Sequence, residues 1–126
     1  MTIFDTDVLV WALRGNDKAR DAIDAEEERG VSAIAYMELL RGAKNARDFA
    51  ATRRFISLGG FSVLPVTEPI TARAIAIMEA LALKSGIGPA DAVIAATALD
   101  GGHILCSGNY KHFKDVEGLR LATFRP

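Results

Sequence analysis

At 126 residues, half of them apolar and a quarter charged, the chain has the composition of one globular domain, 1–126, and not of a disordered segment. Its 15 Lys and Arg nearly balance 16 Asp and Glu, so any nucleic-acid binding must come from local basic clusters or bound cations. A lone cysteine, Cys106, excludes an intramolecular disulfide and a cysteine-based zinc site, and no leader pattern or membrane-length apolar run is visible; the expectation is a soluble protein of a reducing compartment, the cytoplasm.

Ile3 and Phe4 read as a short buried strand, and Thr6 as the cap of a helix over 8–13 that Gly15-Asn16 ends. Asp5 thus stands where a central strand gives way to a helix, the place where open α/β sheets bind ligands. The alternative is that Asp5 and Asp7 only complement the helix N-terminus. Asn16 caps a second helix over 17–29, with Gly30 just past its end, and Val31 leaves room for a very short strand. Ser32 caps a helix over 33–44. A further helix over 48–58 turns Phe49, Thr52, Phe55 and Ile56 inward.

Gly59-Gly60 breaks that helix, and 61–66 is a strand with Pro65 near its end. Thr67 or Glu68 opens a long helix to Ser85. On it Ile70, Ala74, Ile77, Met78 and Leu81 form a core stripe. Ala72, Ala76, Ala80 and Leu83 form a second stripe, read as part of a dimer interface or as further core. Pro89 begins a helix over 90–99 that Gly101-Gly102 stops. A strand over 103–106 runs into the loop Ser107-Gly108-Asn109, and 119–123 is the last strand. Strands alternating with helices imply a parallel sheet covered on both faces.

Three carboxylates interrupt this pattern where local structure does not require them. Asp5 is one. Glu38 is flanked by Ile34, Ala35, Tyr36, Met37, Leu39 and Leu40, where an ionised side chain costs several kcal/mol if buried without a partner. Arg41, three residues on, is its alternative partner. Asp91 lies in the first turn of its helix, where the dipole favours it by about 0.3–1 kcal/mol. In a parallel sheet, the strand ending at Ser107 finishes on the same edge as the strand ending at Phe4. Asp5, Ser107 and Asn109 can therefore converge there, with Glu38 and Asp91 reaching in from helices. Oxygen donors without Cys or a useful His suit Mg²⁺ or Mn²⁺, and ions held by carboxylates suit phosphodiester hydrolysis.

Other polar and aromatic residues are less telling. His103 reads as structural, His112 as a surface-loop residue with substrate contact as the alternative, Cys106 as a small core residue and Trp11 as core or interface. Arg41, Lys44, Arg47, Arg53 and Arg54 form a basic set that could track phosphates or merely solvate helix faces.

Taken in order, Phe4-Asp5-Thr6-Asp7-Val8-Leu9, Tyr36-Met37-Glu38-Leu39-Leu40-Arg41-Gly42-Ala43, the run from Pro89 through Asp91 to Leu99, and Leu105-Cys106-Ser107-Gly108-Asn109-Tyr110-Lys111-His112-Phe113 resemble PIN-domain nucleases. The VapC-type toxins of toxin–antitoxin pairs are the most similar group. The resemblance implies a three-layer α/β/α fold with a five-stranded parallel sheet. It also implies Mg²⁺- or Mn²⁺-dependent endoribonuclease activity, a homodimer and a cognate antitoxin. Asp5, Glu38 and Asp91 match the family's metal-binding acids, with Thr6, Asp7 and Ser107 beside them. Two departures stand out: Asp7 replaces a frequent Asn or Ser, and Asn109 occupies a position where a fourth acid is frequent, so that corner is expected to hold metal weakly. An RNase H-like nuclease shares the order Asp, Glu, Asp but starts with a longer antiparallel meander. A receiver-like Mg²⁺- or phosphate-binding module wants an acidic pair, a later Asp and a Lys that do not stand clearly here.

Overall fold

The computed structural model describes every residue from Met1 to Pro126. Five strands, β1 (Thr2–Phe4), β2 (Arg29–Ser32), β3 (Phe61–Leu64), β4 (Ile104–Ser107) and β5 (Arg120–Thr123), form one parallel sheet in the order β3-β2-β1-β4-β5. The helices between them are α1 (Thr6–Leu13), α2 (Asp17–Asp24), α3 (Ala33–Arg41), α4 (Ala46–Leu58), α5 (Glu68–Ser85), α6 (Pro89–Gly101) and α7 (Tyr110–Phe113). No helix is long and apolar enough to cross a membrane.

The three residues of β1, the shortest strand, are all buried, as befits its place at the centre of the sheet. Ile3 pairs with Gly30 on one side and with Leu105 on the other. From β1 the chain winds outward to β2 and β3, then returns to β4 and winds the other way to β5. The order reverses between β1 and β4, and the crevice beyond their C-terminal ends is where a doubly wound sheet opens to ligands. Edge strands β3 and β5 are largely exposed, and Pro65, just past β3, denies an incoming strand one backbone donor.

Packing follows side-chain size. Helix α6 buries Ala92, Ile94, Ala95, Ala96, Thr97 and Ala98, small enough on most sides for a helix to be enclosed all round. The Thr97 hydroxyl is satisfied within the helix, donating to the Val93 carbonyl at 2.7 Å. Against it α5 turns Ile70 and Ala74, the expected core stripe, with Leu81 buried in the main core. The second stripe is not core: Ala72, Ala76 and Ala80 face outward, and so do Ile75 and Leu83.

Several boundaries differ from expectation. Helix α2 ends at Asp24, and Gly30, expected as its cap, lies inside β2. Pairing with both β1 and β3 overrides the helical propensity of residues 25–29, and Arg29 fastens the turn by donating to the Gly59 carbonyl at 2.7 Å. Phe49, expected inward, is exposed, while Thr52 and Ile56 are buried. The last expected loop contains α7, whose four residues are too few to show a period.

Candidate active site

Helix α1 begins at Thr6 and not at residue 8, and its cap is Asp5, one residue earlier than the expected Thr6. The Asp5 carboxylate accepts the Thr6 backbone N–H at 2.8 Å through Oδ1 and the Ser107 hydroxyl at 2.7 Å through Oδ2. Ser107 is fully buried at the end of β4, so this bond closes the junction between the two central strands. Its Oγ also accepts the Asn109 backbone N–H at 2.9 Å. Only 4% of the Asp5 surface is exposed. Burial raises its pKa from an ordinary 3.8 to about 7; the Ser107 bond pulls it down, Asp7 pushes it up, the Thr6 N–H lowers it and Asp91 raises it.

Asp7 adds a second tie beside that junction. Its oxygens accept the Val8 N–H at 2.7 Å and the Gly108 N–H at 2.9 Å, joining α1 to the loop after β4. Burial raises its pKa too, with the Gly108 and Val8 bonds opposing and Asp91 adding to the rise. A side chain at residue 108 would disrupt this tie: a Cβ there falls 2.7 Å from Asp7 Oδ2 and 3.2 Å from the Phe124 carbonyl oxygen. Glycine is the residue that lets the two backbones meet.

Glu38 is exposed, which removes the burial cost its apolar flanks suggested. Of its apolar neighbours on α3, Ala35 and Leu39 are buried in the core and Met37 is exposed. Glu38 Oε1 accepts the Thr6 hydroxyl at 2.8 Å, and no ion pair joins it to Arg41. Asp91, in the first turn of α6, accepts from His112 Nδ1 at 2.9 Å. The same ring nitrogen lies 2.8 Å from the Asn109 side-chain amide. His112 is therefore part of the site and not a free surface residue. The clue in the sequence was the Asn109-x-x-His112 spacing, one turn of α7.

Asp5, Thr6, Asp7, Glu38, Asp91 and Asn109 all line one cleft of about 590 Å³. Trp11 and Arg14 complete its rim. Trp11 is 37% exposed on this chain, so it is not a core residue, and the Arg14 guanidinium lies 5.8 Å from its ring centre. Cys106 is buried behind the site, and burial pushes its thiol up to about 11, an unreactive form. His103 stands at the start of β4, away from the cleft.

The donor set fits a hard divalent cation. Four carboxylates face one cleft, their mutual repulsion contributes to the raised pKa of Asp5, and no Lys or Arg forms an ion pair with any of them. No three of these side chains close on a single point, so the acids stand around the cleft and not in a finished cage.

Comparison with known proteins agrees with this reading. The sequence matches the PIN domain family over residues 2–119. It is 34% identical over 127 residues to Ribonuclease VapC10 of Mycobacterium tuberculosis, covering 98% of this chain and 81% of that protein. Among solved structures, a toxin–antitoxin complex from Klebsiella pneumoniae superposes with a TM-score of 0.81 at 27% identity, over 98% of this chain and 97% of that one. DNA-bound VapBC from Salmonella typhimurium gives 0.84 at 26% identity, over 97% and 96%. VapBC2 from Rickettsia felis, bound to a promoter DNA fragment, gives 0.86 at 22% identity over 98% of each chain, a likeness of fold. With an all-parallel sheet and no opening meander, the RNase H-like alternative falls. The chain belongs to the PIN-domain family and, within it, to the VapC-type group.

Proposed function

We propose that this chain is a divalent-cation-dependent endoribonuclease acting as the toxin of a toxin–antitoxin pair. The observation that carries the proposal is the gathering of Asp5, Asp7, Glu38 and Asp91 around one open cleft at the switch point of the sheet. The likeness to Ribonuclease VapC10 supports RNA as the substrate, and the likeness to toxin–antitoxin complexes supports an antitoxin as the partner. Asp5, Glu38 and Asp91 would hold the ion, Mg²⁺ or Mn²⁺, with Asn109 as a weaker oxygen donor. When bound, it would supply charge neutralisation at the scissile phosphate and activation of water.

The protein's own contribution is placement. Ser107 and the Thr6 N–H fix both oxygens of Asp5, so that carboxylate is aimed before any ligand arrives. The Thr6 hydroxyl holds Glu38 across the cleft, and His112 holds Asp91. Asp7 keeps α1 and the β4–α7 loop at a constant separation. Arg14 brings a positive charge to the rim, where an RNA phosphate must pass.

The test is cleavage of RNA by purified protein. Cleavage should require Mg²⁺ or Mn²⁺, stop in EDTA, and disappear in Glu38→Gln and Asp91→Asn variants that keep the wild-type circular dichroism. Cleavage that persists in EDTA, or full activity in either variant, overturns the assignment. The proposal extends to a homodimer through α5, where Ala72, Ala76 and Ala80 let a second helix approach and Ile75 and Leu83 offer exposed apolar surface (Leu83 has no cover at all). Ala76→Glu should sediment as a folded monomer; an unchanged dimer excludes this face.

A further inference from the structure

Beside the acid cleft lies a second cavity, of about 560 Å³, that shares Asp7, Trp11 and Gly108 with it. Trp11 is thus a wall common to both. Tyr110 lines the second cavity and is 57% exposed, and Thr123 and Arg125 supply polar atoms near them. The volume lies within the range of small-ligand sites, roughly 300–1,000 Å³.

We infer that this cavity is a nucleobase subsite, in which an unpaired base of the RNA strand stacks on Trp11 and Tyr110 while its phosphate lies in the acid cleft. The inference rests on the ribonuclease reading above and adds where the strand runs. Three observations carry it. The two cavities share Asp7, Trp11 and Gly108 as a common wall, so a strand with a phosphate among the acids brings its next nucleotide to Trp11. Two large aromatic side chains stand exposed at one place, with Arg14 and Arg125 to meet phosphates on either side. Asp7, on the shared wall, repels a phosphate but tolerates a neutral, flat group, particularly with both of its oxygens already engaged by backbone N–H groups. A neutral π-surface between flanking phosphates is the chemistry of a single-stranded nucleic acid, and aromatic stacking accepts every base.

The chain's single tryptophan makes the inference directly measurable. Wild-type protein in Ca²⁺ would be titrated with a short single-stranded oligoribonucleotide, following strand anisotropy and Trp11 emission together. Emission should fall with the same midpoint as the anisotropy change. One abasic substitution, walked along the strand, should weaken binding about tenfold to a hundredfold at one register, as should Trp11→Leu, whereas Trp11→Phe should recover most of the affinity. Anisotropy that rises with silent Trp11 emission and no sensitive register overturns the subsite while leaving the ribonuclease reading intact. A strand neither bound nor, in Mg²⁺, cleaved overturns both. Unchanged RNA binding by Trp11→Leu, with lost affinity for a protein partner, would reassign the cavity to that partner. The abasic series uses wild-type protein, so the outcome does not depend on the variants folding.

Discussion

The two walls of the cleft store their charge differently. On the β1–β4 side, Asp5 is buried, both of its oxygens are bonded to the protein, and its pKa has risen to about 7. On the opposite side Glu38 is exposed, and Asp91 is partly exposed; each is steadied by one side-chain partner, Thr6 for the former and His112 for the latter. The difference separates two tasks. The buried wall carries an electrostatic cost that a cation would relieve, whereas the carboxylates of the open wall keep contact with solvent and are held by one side-chain partner each.

The sharpest way to break this comparison is at Asp5. Asp5→Asn should abolish cleavage. It should also change how stability depends on pH. The folded protein keeps the Asp5 proton up to about pH 7, whereas the unfolded chain releases it near 3.8. Between those values the folded state binds more protons, so stability in EDTA falls as pH rises through that window and levels off above it. Thermal melts from pH 4 to 8 should show this fall in wild type and a flatter profile in Asp5→Asn. Parallel profiles would mean that the buried wall carries no such cost.

A smaller effect separates the walls by their hydrogen bonds. Ser107→Ala strips a donor from a buried carboxylate and should cost about 1–3 kcal/mol, whereas Thr6→Ala, at an exposed bond to Glu38, should cost at most about 1 kcal/mol. Urea denaturation of both variants in EDTA checks the ranking, and equal losses would erase the distinction. On the open wall, His112→Ala should weaken Mn²⁺ binding about tenfold by calorimetry, as loss of a bond that orients a ligand does. His112→Asn, whose amide can reproduce Nδ1, should lose less.

Asn109→Asp is expected to act least on stability and to lower the Mg²⁺ needed for half-maximal cleavage. Its new charge would face His112 as well as the acids, which offsets the repulsion from Asp5 and Asp91 that the sequence alone suggested. A Mg²⁺ titration of cleavage beside wild type decides it, and an unchanged or higher requirement places Asn109 outside the metal shell.

The acids were legible in the sequence because each interrupts an apolar context, and the strand ends that carry Asp5 and Ser107 were placed on one edge by the alternation of elements. What stayed hidden had local causes. Val8 to Leu13 is apolar throughout, so nothing announced that Trp11, one turn beyond Asp7, looks outward into the cleft. Four residues of α7 give no periodicity, and His112 was consequently read as a loop residue. The cap of α1 was displaced by one residue because Asp5 and Thr6 are both good caps, and the Asp5 carboxylate that accepts the Thr6 N–H is held in place by Ser107, a residue far along the chain. Gly30 was misread because helix-ending and strand-pairing glycines look alike without their neighbours.

The pairing of β1 with β4 also sets a schedule. Thr2 meets Ile104 and Asp5 meets Ser107, partners separated by 102 residues in each case. Contacts of such long range are slow to form and wait on loop closure. During synthesis the chain carries Asp5 and Glu38 long before the strand that completes their cleft has left the ribosome, and Asp91 itself precedes that strand. A nascent chain interrupted before Ser107 has every carboxylate of the site but lacks the Ser107 and Gly108 bonds that fix Asp5 and Asp7. The fold thereby ties the site's completion to the synthesis of β4, the strand that brings Ser107 to Asp5.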